Sequence, residues 1–228
     1  MSAPTRRRLW VVAGAMLVAH VGLLFASAAF THSLQLGDDA AAAAAALSAS
    51  SMPRSFVGGY LGLLAFLDFL VAAMLLASLL RRDGEASTWL SSCVAASAIT
   101  YVAVTLATGF AAGAAALYDG HHGAPLAAVT VVNDIRNFGF VLCGAVVGVF
   151  ALSVAAAARI SGDLPRWVSL SGFVVGLASV ATVPGARSGL VVVSTMLSFL
   201  WLAALGVAAI REGGRTMGFV PGAAAVPV

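Results

Sequence analysis

The sequence predicts an all-α fold, a polytopic bundle of transmembrane helices, and three observations lead to it. Hydrophobic residues make up 61% of the chain, whereas charged residues make up only 9%. The apolar residues fall into blocks of about twenty, the length that a helix needs to cross a bilayer. The alternation of polar and apolar residues that is typical of half-buried strands is absent. So few charges are not enough to cover a water-soluble globule, which excludes that class.

Six spans are predicted from the apolar blocks, because a segment in hydrocarbon must pair its own backbone groups and only a helix does so. They cover residues 9–31, 56–80, 89–112, 138–160, 167–183 and 189–210, the fifth being the shortest. Residues 1–212 form a single transmembrane domain in this interpretation. Residues 213–228 are rich in Gly, Pro and Ala, which predicts a disordered cytoplasmic tail. Asp38 and Asp39 precede an alanine run and predict a short surface helix between the first two spans.

The twelve basic residues, all arginine, orient the predicted bundle. One group lies at one set of span ends: Arg6, Arg7, Arg8, Arg81, Arg82, Arg159, Arg166, Arg211 and Arg215. A smaller group lies at the other ends: Arg54, Arg136 and Arg187. The positive-inside rule places the larger group, and with it both termini, in the cytoplasm. Trp10, Trp89 and Trp167 each begin a span at the same end, where an indole ring suits the headgroup level.

The N-terminus also has features of a signal peptide, since three arginines precede an apolar run and the sequence Ala26-Ser27-Ala28. The apolar run is longer than a usual signal sequence and further spans follow it, so we interpret it as the first span. Cleavage would leave five spans and an external N-terminus. We interpret the net charge of +3 as arginines that contact the inner leaflet and not as a nucleic-acid surface. The predicted location is the cytoplasmic membrane of a cell, with the lipid bilayer as partner; a homo-oligomer or another membrane partner stays open.

A layer of polar side chains near the bilayer centre is the candidate functional site. Counted from the cytoplasmic ends at 1.5 Å per residue, His20 lies about 16 Å deep and Asp68 about 18 Å deep. Tyr101, Ser179 and Ser198 fall near the same level. An isolated carboxylate in hydrocarbon is costly, so Asp68 is protonated, faces water or pairs with a partner such as His20.

Two functions are compatible with this layer. In the first, the protein is a structural or accessory membrane protein, and Asp68 and His20 hold neighbouring helices in register by hydrogen bonds. In the second, it is a small proton-coupled transporter or channel subunit, with Asp68 carrying the proton and Tyr101 as a gate. A single intramembrane carboxylate and the absence of obviously broken helices favour the first. No nucleophile motif, phosphate-binding loop or metalloprotease motif is present, so no enzyme activity is expected.

No cofactor or metal is predicted. His121 and His122 lie beside Asp119, and imidazole and carboxylate groups suit zinc or copper, but no third ligand stands at a suitable spacing. A membrane haem site generally needs two histidines within spans, and only His20 qualifies. Asp134 and Arg136 are two residues apart on a helix and face different ways, so we interpret them as headgroup anchors of the fourth span.

Glycines one helical turn apart predict close contacts between helices. The pairs are Gly58/Gly62, Gly109/Gly113, Gly144/Gly148 and Gly172/Gly176. Small residues let helix backbones approach each other where lipid tails remove the usual hydrophobic drive. The pairs therefore favour a tight bundle, and packing within one chain is expected more than a dimer.

The segment Leu164-Pro165-Arg166-Trp167-Val168-Ser169 resembles a loop of the domain-of-unknown-function 4386 family of small bacterial membrane proteins. The likeness covers mainly residues 138–210. It implies a bacterial inner-membrane helix bundle with several spans. That family brings no established activity and no site residues to carry over.

Overall fold

Every element of the computed structural model is helical within residues 2–31, 40–184 and 190–215, which are the residues that the structure describes. The helices are α1 (Ala3–Phe30), α2 (Ala40–Ala49), α3 (Met52–Leu80), α4 (Glu85–Val104), α5 (Ala112–His121), α6 (Leu126–Ser161), α7 (Arg166–Ala181) and α8 (Leu190–Arg215). A π-helical segment, Thr105–Ala111, joins α4 to α5 without a break. The predicted all-α class is confirmed.

Five helical runs are long and apolar enough to cross a membrane, a set typical of a membrane-embedded protein. They are α1, α3, the continuous run from α4 to α5, α6 and α8. The fifth of the six predicted spans, residues 167–183, is not in this set, because α7 there has only 16 residues. At 1.5 Å per residue it extends about 24 Å, against a hydrocarbon thickness of about 30 Å. By length and composition alone, the structure therefore gives five candidate spans where the sequence predicted six.

Several predicted boundaries shift, and the surface helix is confirmed as α2. The third run continues to His121 and α6 begins at Leu126, so most of the predicted outer loop between them is helical. Alanine is abundant in this stretch; it has the highest helix propensity but little hydropathy, so a hydropathy pattern misses it. The predicted tail starts at residue 213, whereas α8 reaches Arg215. Asp38, Asp39, Arg187 and residues 216–228 lie outside the described residues.

The six longest apolar helices pack in a closed ring. Each packs against the next in the order α1, α3, α4, α6, α7 and α8, and α8 returns to α1. Glycine permits the closest crossings: a Cβ added to Gly206 on α8 would lie 2.7 Å from the Gly14 carbonyl oxygen on α1. A Cβ on Gly148 of α6 would lie at the same distance from the Gly176 carbonyl oxygen of α7. Two of the predicted pairs thus supply glycines to the α6–α7 contact.

Large apolar side chains fill the half of the ring that carries most of the arginines, called here the inner half. Among the largest fully buried side chains are Leu17, Phe69, Leu76, Phe150, Leu202 and Leu205. At the same end Trp89 and Trp167 are exposed, as interfacial anchors are. Trp10 differs from the prediction, since it is 3% exposed and belongs to the core.

A carboxylate clamp closes the inner end of the bundle. Asp163 lies in the turn between α6 and α7, and its Oδ2 is 3.1 Å from Arg6 Nη2 on α1. Its Oδ1 pairs with Arg82, just after α3. Arg6 also donates a hydrogen bond of 2.8 Å to the carbonyl oxygen of Leu79. Three segments far apart in sequence are therefore held by one side chain.

Candidate functional site

A cavity of about 800 Å³ occupies the other half of the ring, called here the outer half. Its volume is within the range of about 300–1,000 Å³ that is common for small-molecule sites. Every helix from α1 to α8 contributes to its wall. The apolar part includes Leu24, Phe66, Leu106, Phe110, Phe140 and Val147. The polar part includes Ser27, Tyr101, Thr105, Thr108, Asn133, Arg136, Asn137, Ser179, Ser194, Thr195 and Ser198.

A short helix and several glycines border the cavity. Helix α7 ends at Ala181 and, within the described residues, contributes only Ser179 to the lining. Glycine supplies other parts of the wall. A Cβ added at Gly59 or at Gly144 would meet no atom within 4 Å. These two glycines therefore border open space and do not serve helix contact.

The π-helical segment forms the wall nearest α6. Thr105 Oγ1 donates a 2.7 Å hydrogen bond to the Tyr101 carbonyl oxygen and lies 3.1 Å from Cys143 Sγ. Thr108 Oγ1 donates to the Val104 carbonyl oxygen at 2.8 Å. Both hydroxyls thus support the backbone where the helix changes its hydrogen-bond pattern. π-Helical segments are rare and occur frequently at functional sites.

Arg136 is the only charged side chain among the described residues that line the cavity. It is half-buried on α6 and packs against Gly113, where an added Cβ would lie 2.9 Å from Arg136 Cδ. Its Nη1 is 3.5 Å from Asn133 Oδ1, a distance at the limit of a hydrogen bond. The two ion pairs of the described residues both belong to Asp163, so no described carboxylate neutralises Arg136. A guanidinium has five N–H donors, and within the described residues the one hydrogen-bond contact of Arg136 is that with Asn133.

The cavity has the depth of one leaflet. Arg136 is about 35 Å along α6 from Arg159 near the inner end, so it reaches the outer headgroup level when Arg159 lies at the inner one. Val147, at the deep end of the α6 lining, is about 16 Å below Arg136. This is close to half of the hydrocarbon thickness of about 30 Å. The lining below Arg136 is mostly apolar surface with several hydroxyl groups.

Three of the five residues predicted for the polar layer line this cavity: Tyr101, Ser179 and Ser198. Ser179 and Ser198 join α7 to α8 through a contact of 3.0 Å between their hydroxyl oxygens. The Tyr101 ring packs edge-on against Phe66, at 5.2 Å between centroids. These three residues therefore form the polar part of the cavity floor.

His20 and Asp68, the other two predicted residues, do not line the cavity. His20 is fully buried between α1 and α3, with Nδ1 2.8 Å from the Ala65 carbonyl oxygen and the ring 4.9 Å from that of Phe69. Its Nε2 has no hydrogen-bond partner among the described residues. Asp68 is half-buried beside the exposed Leu67, and no described ion pair joins it to His20.

The histidines of the outer turn connect α5 to α2 or stack locally. His121 Nε2 lies 2.9 Å from Ser50 Oγ, next to α2. His122 stacks on Tyr118 with 4.0 Å between ring centroids. No group of three His, Cys, Asp or Glu side chains suited to a metal occurs in the described part of the chain.

The sequence pattern led us to interpret Arg136 as a headgroup anchor, and it did not predict that Arg136 lines a cavity. The signal that points to it is the spacing of Asn133, Arg136 and Asn137, because residues three and four apart share one helix face. An amide–guanidinium–amide face on an otherwise apolar helix favours an inward orientation.

No family model, curated protein or solved structure matches this chain. The resemblance of residues 164–169 to the domain-of-unknown-function 4386 family therefore stays a prediction.

Proposed function

We propose that this chain is a non-enzymatic accessory protein of the cytoplasmic membrane that binds an amphiphilic molecule, with an acyl tail, in the outer-half cavity. The observation that carries the proposal is the combination of a leaflet-deep cavity with lipid-facing apolar walls. Phe56, Tyr60 and Phe140 line the cavity and are 56%, 61% and 49% exposed. In a bilayer such side chains would contact acyl chains, which supports a cavity open to the hydrocarbon from the side. A membrane amphiphile enters it without leaving the leaflet.

The proposal includes six spans, with both termini cytoplasmic. Four residues separate the end of α6 from the start of α7 at the arginine-rich end, and Ser179 of α7 reaches the cavity. Since α8 returns from the outer end to the inner end, α7 must cross most of the bilayer in the opposite direction. A span shorter than the hydrocarbon is accommodated by local thinning of the bilayer at a modest cost.

A topology test uses single cysteines in a background where Cys93 and Cys143 are replaced. Glu85→Cys is expected to react with an impermeant maleimide only after the cells are opened, and His122→Cys is expected to react in intact cells. Labelling of both positions in intact cells would contradict six spans with cytoplasmic termini.

Binding ranks above the proton-coupled alternative because His20 and Asp68 are separate from the cavity. A proton carrier needs a path between its titrating group and water or substrate. Neither side chain is among the described residues that line the cavity.

The test of amphiphile binding is photo-crosslinking in proteoliposomes, with a phospholipid that carries a diazirine in its acyl chain. Wild type is expected to give adducts on peptides containing the π-helical segment Thr105–Ala111. Gly144→Phe places a ring into open space of the cavity and is expected to reduce these adducts at least five-fold. Gly22→Phe is the matched control, because Gly22 also meets no atom within 4 Å but lies outside the cavity. Adducts confined to outward faces and equal in all three proteins would overturn the proposal.

A further inference from the structure

We infer that Arg136 is a headgroup-binding residue that selects amphiphiles with an anionic phosphate or carboxylate head. This inference rests on the proposed function and adds the ligand's charge class to it. The group that Arg136 recognises is an oxyanion at the outer headgroup level. Its source is either a membrane lipid or a free anion, and the experiment below separates the two.

The first support is the charge of the lining. Arg136 faces a cavity with no other charged side chain among its described lining residues. A buried or half-buried cation without a counter-ion is costly, and a ligand oxyanion removes this cost. A zwitterionic head brings its own cation and gains less. The lining therefore discriminates by charge.

The second support is the geometry around the guanidinium. Gly113 has no side chain, and Arg136 Cδ occupies the space that a side chain there would fill. The aliphatic part of Arg136 therefore packs against α5. Arginine presents paired N–H groups that match the two oxygens of a phosphate or carboxylate, which lysine does not do. Asn133 and Asn137 line the cavity on the same face of α6 and make its upper rim polar.

The third support is the direction of the cavity. The cavity lining is mostly apolar, including Leu106 and Phe110, with hydroxyl groups between, and on α6 it continues to Val147, about 16 Å below Arg136. An amphiphile bound with its oxyanion at Arg136 thus has its tail pointing to the bilayer centre. This is the orientation that an outer-leaflet lipid already has, so binding needs no inversion of the molecule.

The experiment measures lipid binding by native mass spectrometry of the purified full chain. The probes are dioleoyl phosphatidylglycerol, which is anionic, and dioleoyl phosphatidylcholine, which is zwitterionic with similar tails. Wild type is expected to bind the anionic lipid about ten-fold more tightly, a difference of about 1.4 kcal/mol. Arg136→Gln is expected to equalise the two affinities at the value for phosphatidylcholine, and Arg136→Lys to keep part of the preference.

Arg54→Gln is the matched control. Arg54 is also an outer-end cation, but it donates to the Ala29 carbonyl oxygen at 3.0 Å, lies over Phe30 and does not line the cavity. This variant is expected to keep the wild-type preference. An equal loss in Arg54→Gln would show a general surface-charge effect and overturn the inference.

The remaining outcomes separate this inference from the proposed function. Equal binding of both lipids by wild type, with crosslinks still in the cavity, overturns the headgroup selection and leaves amphiphile binding intact. Binding of neither lipid overturns both. Inorganic phosphate at 10 mM is expected not to displace the anionic lipid, because the tail supplies most of the affinity; displacement would reassign the site to a free anion. Should Arg136→Gln fail to fold, the comparison of the two lipids in wild type and in Arg136→Lys still decides the question.

Discussion

Replacing Asp163 by Asn is expected to loosen the inner end of the bundle by removing two ion pairs while keeping the side-chain shape. The Asp163 side chain is 13% exposed, and those of Arg6 and Arg82 are 29% and 36% exposed. Ion pairs at such partly screened positions contribute about 0.2–1 kcal/mol each, with values near the upper limit for a carboxylate this buried. Because the same carboxylate serves both arginines, we expect a loss of about 1–2 kcal/mol in the free energy of unfolding.

The assay is reversible unfolding of the detergent-solubilised protein in increasing SDS, followed by far-UV circular dichroism. Asp83→Asn is the matched control, since Asp83 is exposed at the same end and belongs to no described ion pair. A double-mutant cycle of Arg6→Gln with Asp163→Asn isolates the coupling of one pair. Added NaCl should lower the stability of wild type more than that of Asp163→Asn, because salt screens the charges that only wild type retains. A change in Asp163→Asn no larger than in Asp83→Asn would refute the clamp.

Three further outcomes are expected. Gly206→Leu should destabilise the fold by about 1–3 kcal/mol in the SDS assay, because a Cβ there meets the α1 backbone, whereas Gly22→Leu should change little; equal effects would contradict the α1–α8 contact. Ser179→Ala and Ser198→Ala should show a coupling of roughly 0.6 kcal/mol in a double-mutant cycle, since their hydroxyls meet between α7 and α8; zero coupling would exclude that bond. Asp68→Asn should leave lipid crosslinking within two-fold of wild type because Asp68 does not line the cavity, and a larger loss would place it in the binding path.

The sequence predicts the class of this fold well because hydropathy and length are averages over a helix. The six apolar blocks correspond to helices, and the shortness of the fifth block reappears in α7. The average hydropathy of a helix does not indicate which of its faces points into the bundle. The sequence predicts similar depths for His20, Tyr101 and Ser198, yet the fully buried His20 packs beside Ala65 while the other two border the cavity. A helix that is apolar on all faces has no polar stripe to indicate which side points inward, so its sequence does not separate these cases.

The sequence also does not show whether a glycine lies at a helix contact or borders open space. Gly144 and Gly148 form one predicted pair, but only Gly148 lies at a helix contact, while Gly144 borders open space. The contact between Gly14 and Gly206 joins the first and last helices and has no local pattern at all. A glycine therefore marks either close packing or a void, and the choice depends on what stands opposite in the tertiary structure.

The division of the ring into a filled inner half and a hollow outer half connects stability with binding. Leucine and phenylalanine side chains between α1, α3, α6 and α8 are fully buried toward the arginine end, where Asp163 adds its clamp. The outer half is then free to keep glycines, a π-helical segment and an arginine without a described counter-ion, each of which costs stability. Such costs are tolerated at functional sites when the rest of the structure compensates for them. For this reason we assign the function to the hollow half, and we expect substitutions that fill it, such as Gly144→Phe, to stop binding without unfolding the protein.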